Sequence, residues 1–578
     1  MASLSPLSFL ATTKVSLCSP SSSNAPNGHR IAKVSCNGSN PQEQQQRQKK
    51  KKDIILGNRR DVLLGLGGLG ASAAAFSYNP FATAEPVVPD VHGCNKPTLP
   101  PGAKPIACCP PNYENKEPID YVIPNYQTLR IRKPAHDYDD LEKYKKALNI
   151  MKSLPDDHPH SWTQQSRIHC AYCHNSYHQK GHTDIEMQVH FSWIFFPFHR
   201  WYLYFYERIL GKLIDDPTFA IPFWNWDAPE GMEIPAIFTD RKSPLYNDLR
   251  NQNHQPPTLV DLNWNGRTGV DTSGDVEANL ATMYRQVYEV KRPICFYGKP
   301  FRAGDKPYSS RTGSGSVELV PHNTVHSWTG DKTQPNLEDM GALYAAARDP
   351  IFYCHHANID RMWTIWKSFG RKDITDPDYQ NASYVFYDEN ENLVRVKNSD
   401  AFDSKKLGYD YKQLDLPWQK AQPKPRRTKA QRNGRRVVKK VDLPFTLKDK
   451  IVSTVVKRPH INRSQAEKDE KEESLVFSLQ FDRTKHLKFD VLINEEEDYN
   501  WANPKYREFA GSFVNVSHAA QTSSDAGSTE TTFSIGITDL LDQLDADDED
   551  SIVVILVPQY GDEVIVKDIN ISFEDCNN

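Results

Sequence analysis

Met187–Leu210 reads MQVHFSWIFFPFHRWYLYFYERIL, an aromatic-dense stretch that is apolar on nearly every helical face. Such a segment belongs deep in a core rather than on a surface. Pro197 lies inside it, and proline is tolerated in the first turn of a helix but not in its middle. The stretch therefore predicts a turn, then a helix starting near Pro197 and running to about Leu213. Two more proline-marked starts lie downstream. Pro321 predicts a short helix from His322 to Trp328, and Asp349-Pro350 predicts an N-cap with proline at N1, opening a helix to about Lys367. Tyr138–Leu154 carries an amphipathic helical pattern, while the rest of 215–320 reads as loop and turn.

These helices carry histidines at metal-ligand spacing. His322 and His326 are four apart, so both rings leave one helical face and can converge on one ion. Taken alone, a buried pair satisfied by hydrogen bonds is the simpler reading. The helix after Asp349 carries His355-His356, and successive helical residues point about 100° apart, so at most one of the two faces the site. His190 and His199 are nine apart, half a turn out of phase on a straight helix. They converge only if the chain breaks between them, and Pro197 supplies that break. His169 is the third candidate. Two groups of three imidazoles suit copper, zinc, iron or nickel. A hydrolytic zinc site would bring one ion and a carboxylate base, so two adjacent tri-imidazole sites suggest a dicopper centre that handles dioxygen. Cys170-x2-Cys173 beside His174, His178 and His182 offers a zinc knuckle, but those histidines follow too closely and lie in a polar loop.

Further out, the chain of 578 residues is long enough for three or four units. Its 70 basic and 74 acidic residues leave a net charge of −4, which excludes an overall polycation aimed at nucleic acid. The longest apolar run, Val62–Phe76, has 15 residues, short of the roughly 20 needed to span a bilayer. No integral membrane protein is expected. Residues 1–40 contain ten serines and no acidic residue, as organelle transit peptides do. Lys49–Lys52, Arg59-Arg60, the Val62–Phe76 run and Ala82-Thr83-Ala84 follow in the order of a twin-arginine export signal. Residues 1–84 thus read as an address for the chloroplast and then the thylakoid lumen, with the mature chain starting near Glu85. Cys94, Cys108, Cys109, Cys170 and Cys173 cluster early in that chain. Adjacent Cys108-Cys109 cannot easily bridge each other, so each looks elsewhere if oxidised. Pro423–Lys440 holds nine Lys or Arg in 18 residues and reads as an exposed, protease-sensitive linker; without interleaved aromatics it is no nucleic-acid patch. Beyond it, SLVFSLQF, LKFDVLIN, TTFSIGI and SIVVILVP alternate like the strands of a β-sandwich.

The segments IHCAYC, QVHFSWIFFPFHRWYLYFYE, PHNTVHSWTGD and ARDPIFYCHHANIDRMW resemble the two copper-binding regions of plant polyphenol oxidases, the tyrosinase and catechol oxidase family with type III copper. GYDY (Tyr409, Tyr411), VDLPF and KFDV (Lys488–Val491) resemble later marks of that family, and the likeness spans essentially the whole chain. It implies a mainly α catalytic domain with a four-helix-bundle dicopper core over 85–418, a linker at 419–441 and a shielding β-sandwich at 442–578. It implies His169, His190 and His199 as ligands of one copper and His322, His326 and His356 as ligands of the other, with His355 outside. Cys173 would form a thioether with His190, or else stay a buried thiol, and the disulfides would be Cys94–Cys109 and Cys108–Cys170. Phe352 would pack over the second copper or simply fill the core. Asp360 would orient a ligand imidazole or pair with Arg361 on the helix surface. Glu318 and Asn323 would hold a water for monophenol hydroxylation, and Leu343 would be a small gate. The implied activity is oxidation of catechols to o-quinones with O2 reduced to water, with some monophenol hydroxylation, in a latent pro-enzyme activated by a protease at the linker. Small phenols are the expected partners. An aurone-forming oxidase and a haemocyanin-like oxygen carrier are the alternatives.

Overall fold

In the computed structural model, residues 85–575 are described except 112–115, 268–272, 434–439, 496–501 and 519–527. The address read at 1–84 lies outside them, as does the middle of the linker. Among the helices of the first half, five place the residues that matter below: α1 (Leu141–Ser153), α2 (Trp162–Cys173), α3 (Phe195–Leu213), α4 (Asn323–Thr329) and α5 (Ile351–Ser368). The four longer ones pack on one another around α3, of whose nineteen residues sixteen are buried. Pro197 sits in its first turn, where its missing N–H costs nothing. The π-type turn Glu318–His322 is interrupted by extended Val320 (φ −144°, ψ 124°) before Pro321, so α4 begins only at Asn323. Asp349 opens α5 by accepting the Ile351 N–H (3.0 Å), while Arg250 grips its carboxylate at 2.6 and 2.7 Å.

Burying α3 also buries Arg200 and Glu207, and a buried charge needs a partner. Glu207 takes Arg130 (2.9 Å) and Arg132 (2.8 Å) from strand Arg130–Arg132, which pairs in parallel with Tyr409–Tyr411. Arg200 Nε reaches Asp360 on α5 at 2.5 Å, and the Tyr409 and Tyr411 hydroxyls donate to the same carboxylate at 2.7 and 2.5 Å. This corrects both expectations for Asp360. It neither touches a histidine nor pairs with Arg361, whose guanidinium bonds Asp227 instead (3.0 Å). Burial pushes the Asp360 carboxyl up, but Arg200, Arg132 and the two hydroxyls outweigh it and hold it below the usual carboxylate range. Asp360→Ala would leave buried Arg200 without a carboxylate and take one of two from Arg132, and a loss of about 3–5 kcal/mol is expected from the denaturant midpoint. A loss under about 1 kcal/mol would mean that water replaces the carboxylate there.

Residues 215–320 are not loop throughout. They form a helix at Val276–Met283, a π turn at Tyr284–Glu289 and a helix at Pro293–Tyr297. Asp275 starts the first of these by accepting the Glu277 and Ala278 N–H groups. His178–Gln179 and His182–Glu186 form a hairpin after α2.

Among the described residues the second half is a sandwich of eight strands: β1 (Phe445–Leu447), β2 (Val452–Lys457), β3 (Lys471–Asp482), β4 (Leu487–Ile493), β5 (Phe509–Asn515), β6 (Ser528–Gly536), β7 (Ser551–Tyr560) and β8 (Val564–Asp575). One sheet runs β6-β3-β8-β1 and the other β5-β4-β7-β2, all antiparallel. On β3 buried residues alternate with half-buried ones, as in a one-sided strand. β4 and β5 are buried at every position, so both faces are covered. The inner face holds Phe489, Val491 and Phe513 in the sandwich core. The outer face meets the helical half, where Lys488 Nζ donates to the Asn263 carbonyl (2.8 Å) and Ser512 bonds the Asn263 amide oxygen (2.9 Å).

Lys424, Pro425, Thr428, Ala430, Gln431 and Lys440 are exposed, as expected of a linker, but Pro423, Arg426 and Arg427 are not. Lys424 forms a bridge with Tyr506, and half-buried Arg426 and Arg427 are ion-paired to Glu495. A basic run reads as solvated in sequence because the acids that meet it come from a distant strand end. Among the described residues no helix is long and apolar enough to cross a membrane.

Candidate metal centre

Two groups of donor atoms lie deep in the helical half: His322, His326, His355 and His356 in one, His169, Cys173 and His190 in the other, each within 4.8 Å. The His199 ring stands between them, 5.3 Å from His190, 5.5 Å from His169 and stacked 4.3 Å from His356. α2 supplies His169 and Cys173, the bend before α3 supplies His190, α3 supplies His199, the turn before α4 supplies His322, α4 supplies His326, and α5 supplies His355 and His356.

The hydrogen bonds decide which nitrogens are available. His169 Nδ1 faces the Leu343 carbonyl (2.6 Å), His199 Nδ1 the Phe195 carbonyl (2.8 Å) and His326 Nδ1 the Met340 carbonyl (2.7 Å). His322 Nδ1 faces the Asn323 amide oxygen (2.9 Å), and His190 Nδ1 the Gln188 amide oxygen (3.2 Å). Each partner only accepts, so Nδ1 carries the proton and Nε2 keeps its lone pair. Nε2 of His169, His190, His199 and His322 is buried without a hydrogen-bond partner, and the Nε2 atoms of His326 and His356 face each other at 3.2 Å. Buried lone pairs left unpaired in such number fit a cation among them. Burial pushes these rings well down, joined at every ring but His169 by the neighbouring imidazoles, taking His169 to about 4 and His326 to about 3. The rings are therefore neutral at physiological pH, the form that binds metal.

His355 differs. The Trp226 indole N–H, which can only donate, reaches His355 Nδ1 at 3.1 Å. Nδ1 is then the acceptor and Nε2 carries the proton, so this ring has no lone pair to offer, though its atoms lie within the cluster.

Cys173 Sγ lies 3.4 Å from His190 Nδ1 as a free thiol, and Gln188 ties the pair by donating to the Cys173 carbonyl (3.0 Å). Disulfides join Cys94 to Cys109 and Cys108 to Cys170. With Cys170 bridged, the zinc knuckle is excluded. Phe352 packs 4.2 Å from His356 and 5.0 Å from His169, against both groups. Leu343 is buried, and its carbonyl orients His169. Glu318 Oε1 accepts the Phe191 N–H at 2.6 Å, and burial pushes its carboxyl up to about 8. The Asn323 amide is already engaged: its oxygen holds His322 and its NH2 donates to the Val514 carbonyl of the sandwich (3.1 Å).

From Val514 the chain runs along both groups. Val516 is buried in the helical core, Ser517 bridges Ala342, and the buried His518 ring lies 4.7 Å from Phe191 and 6.1 Å from His190. Sequence reasoning missed this segment, together with Gln188, Trp226 and the carbonyls of Leu343 and Met340. Backbone carbonyls leave no trace in a residue pattern, and nothing in NVSH marks it as an insertion.

Residues 159–368 match the common central domain of tyrosinase, 373–424 the polyphenol oxidase middle domain and 443–573 the chloroplastic polyphenol oxidase C-terminal domain. The chain is 48% identical to a chloroplastic polyphenol oxidase of Malus domestica, over 94% of this chain and 92% of the relative. It is 47% identical to polyphenol oxidase A1 of Vicia faba over the whole of both chains. Among solved structures, a latent apple tyrosinase is 49% identical with a TM-score of 0.73, covering 79% of this chain and all of that one. A latent aurone synthase is 40% identical with a TM-score of 0.79, covering 86% of this chain and all of that one. With three domains matched in order and relatives near half identical along their length, the chain belongs to the plant polyphenol oxidase family of tyrosinase-like enzymes.

Proposed function

We propose that the protein is a latent, copper-dependent oxidase of o-diphenols that yields o-quinones while O2 is reduced to water. The observation that carries this is the tautomer pattern: in His169, His190, His199, His322 and His326, Nδ1 is held on a carbonyl or amide oxygen and Nε2 is left for metal, with His356 Nε2 facing that of His326. His169, His190 and His199 would hold one copper, and His322, His326 and His356 the other. When bound, the pair supplies the two-electron exchange between a catechol and dioxygen. The chain supplies the rest. The carbonyls of Leu343, Phe195 and Met340 fix ring orientation through the Nδ1 protons. Phe352 presents an apolar face between the two groups. Glu318 and Asn323 would hold the water that takes a monophenol hydroxyl proton, and Leu343 would leave room above the site. Because Val514 occupies the Asn323 NH2 group in the closed form, that water can be held fully only after the sandwich departs.

The same reading assigns 1–84 to the chloroplast address, with the thylakoid lumen as the final compartment. It assigns 85–418 to catalysis, 419–441 to the linker and 442–578 to the shield. Oxygen uptake on a panel of catechol, caffeate, tyramine and a chalcone tests the reaction class. No uptake on any o-diphenol of the panel, after the shield is removed, would refute it.

Cys173 Sγ and a ring carbon of His190 are expected to become joined in the copper-loaded protein, the S–H and C–H bonds breaking and their two electrons and two protons passing to dioxygen, the acceptor that the proposed activity uses. The link would fix a ring that sits on a bend with no helix to orient it. After full reduction, mass spectrometry should show the two peptides joined and lighter by two hydrogens. Separate peptides with a free Cys173 thiol would contradict it.

A further inference from the structure

Outside the metal centre, the acidic pair Glu495 and Glu508 is nearly fully buried on the sandwich, at 3% and 1% exposure. Both carboxylates are turned on one short piece of chain. Glu508 accepts the backbone N–H groups of Arg426 and Arg427, each at 3.0 Å. Glu495 takes the Arg426 guanidinium in a two-point fork, Nε at 3.0 Å and Nη2 at 2.8 Å, with Arg427 Nη1 at 3.5 Å. Lys424 adds a parallel bridge to Tyr506, and its carbonyl accepts the Arg507 N–H (2.9 Å). The sandwich segment gripped this way is the one the helical half holds from its other side: Arg285 donates to the Tyr506 carbonyl (2.5 Å), and Arg507 pairs with Glu289 (2.8 Å).

The same piece of chain is anchored upstream in the helical half. Trp418 is fully buried there, its indole N–H donating to Asp227 at 3.0 Å, and Pro423 is buried between the two anchors. Residues 418–427 therefore join the two halves through contacts at both ends, independently of the connection through 428–441.

We propose that Glu495 and Glu508 form a docking cleft for an extended Arg-Arg peptide, occupied by the chain's own Lys424–Arg427, and that this strap keeps the sandwich in place after the linker is cut beyond Arg427. The proposal rests on the latency reading above and adds where a cut must fall. A nick at 428–441 removes the covalent tether but leaves the strap covalently on the helical half and bonded to the sandwich. A cut between Trp418 and Lys424 leaves the strap on the sandwich and severs both connections. Fork-type guanidinium–carboxylate pairs with buried carboxylates are the strong kind, and the backbone N–H bonds give the cleft a defined register.

The test places a site-specific protease site either in place of 434–439 or between Ala421 and Gln422 of the copper-loaded chain. Separation of the halves is followed by size-exclusion chromatography, which reads association without reference to activity. After the 434–439 cut, the halves should co-elute and catechol turnover should stay within about twofold of the uncut chain, because the strap preserves a high effective concentration. After the 421–422 cut, the sandwich can leave with the strap still bound to it and need not break these buried charged contacts, so it should leave at least about tenfold faster. Glu495→Gln or Arg426→Ala in the 434–439 chain should give the faster release, and the two together no more than either alone. Arg426 lies on the half-exposed strap, so its variant serves if Glu495→Gln does not fold. Equal release from both cuts, or release unchanged by Arg426→Ala, would overturn the strap. A chain cut at 434–439 that is fully active while its halves still co-elute would fault the latency reading alone.

Discussion

Stripping the sandwich from the nicked chain is expected to raise catechol turnover by roughly tenfold or more, since substrate then no longer competes with a resident segment for the site. The segment is Val514–His518. Its first carbonyl takes the Asn323 NH2 group, Val516 is packed into the helical core, and His518 stands against Phe191 beside His190. A tether of the linker's kind holds such a plug at an effective concentration on the order of millimolar, so even weak contacts keep it seated. Beyond the plug, Lys488–Asn263, Arg285–Tyr506 and Arg483–Glu186 hold the two halves together. Separation in mild detergent followed by a catechol assay measures the effect. Equal turnover before and after separation would show that the segment does not block substrate.

His326→Ala and His355→Ala should part company. Both side chains are fully buried, and their donor atoms lie within one 4.8 Å group. His326 offers Nε2 because Met340 holds its Nδ1 proton, whereas Trp226 turns His355 into the tautomer with no free lone pair. His326→Ala should lose one of two coppers and reduce catechol turnover on the order of a thousandfold, since groups that act as a unit fail together. His355→Ala should keep both coppers and stay within roughly a hundredfold, the range for a residue that supports ligands without being one. Copper analysis of the two purified variants decides it. Equal copper loss in both would mean the tautomer argument assigns the wrong ring.

The helix starts were legible because proline restricts where a helix can begin: the helix placed near Pro197 starts at Phe195, and the one placed at Asp349-Pro350 starts at Ile351. That His190 and His199 could approach followed from the same break. Helix α2, which carries His169, was not legible, because it buries Gln164, Gln165 and Ser166 and so shows no apolar stripe. Spacing could say that only one of His355 and His356 faces inward but not which; Trp226, far away in sequence, settles the tautomer. Asp360 was misread for a related reason. Its neighbours on the helix suggested local partners, while its real ones, Arg200, Tyr409 and Tyr411, are brought in by tertiary packing. The half-buried Arg426 and Arg427 of the otherwise exposed linker were missed in the same way, since the burial of Glu495 and Glu508 is a property of the folded sandwich.

The most direct test is oxygen uptake with a simple catechol by the chain freed of its sandwich, measured while copper is titrated into the metal-free protein. Uptake should rise with added copper and level off at two copper ions per chain, with no uptake in the zinc-loaded protein. Uptake that levels off at one copper, or that persists with zinc, would contradict a paired copper site built on these six histidines.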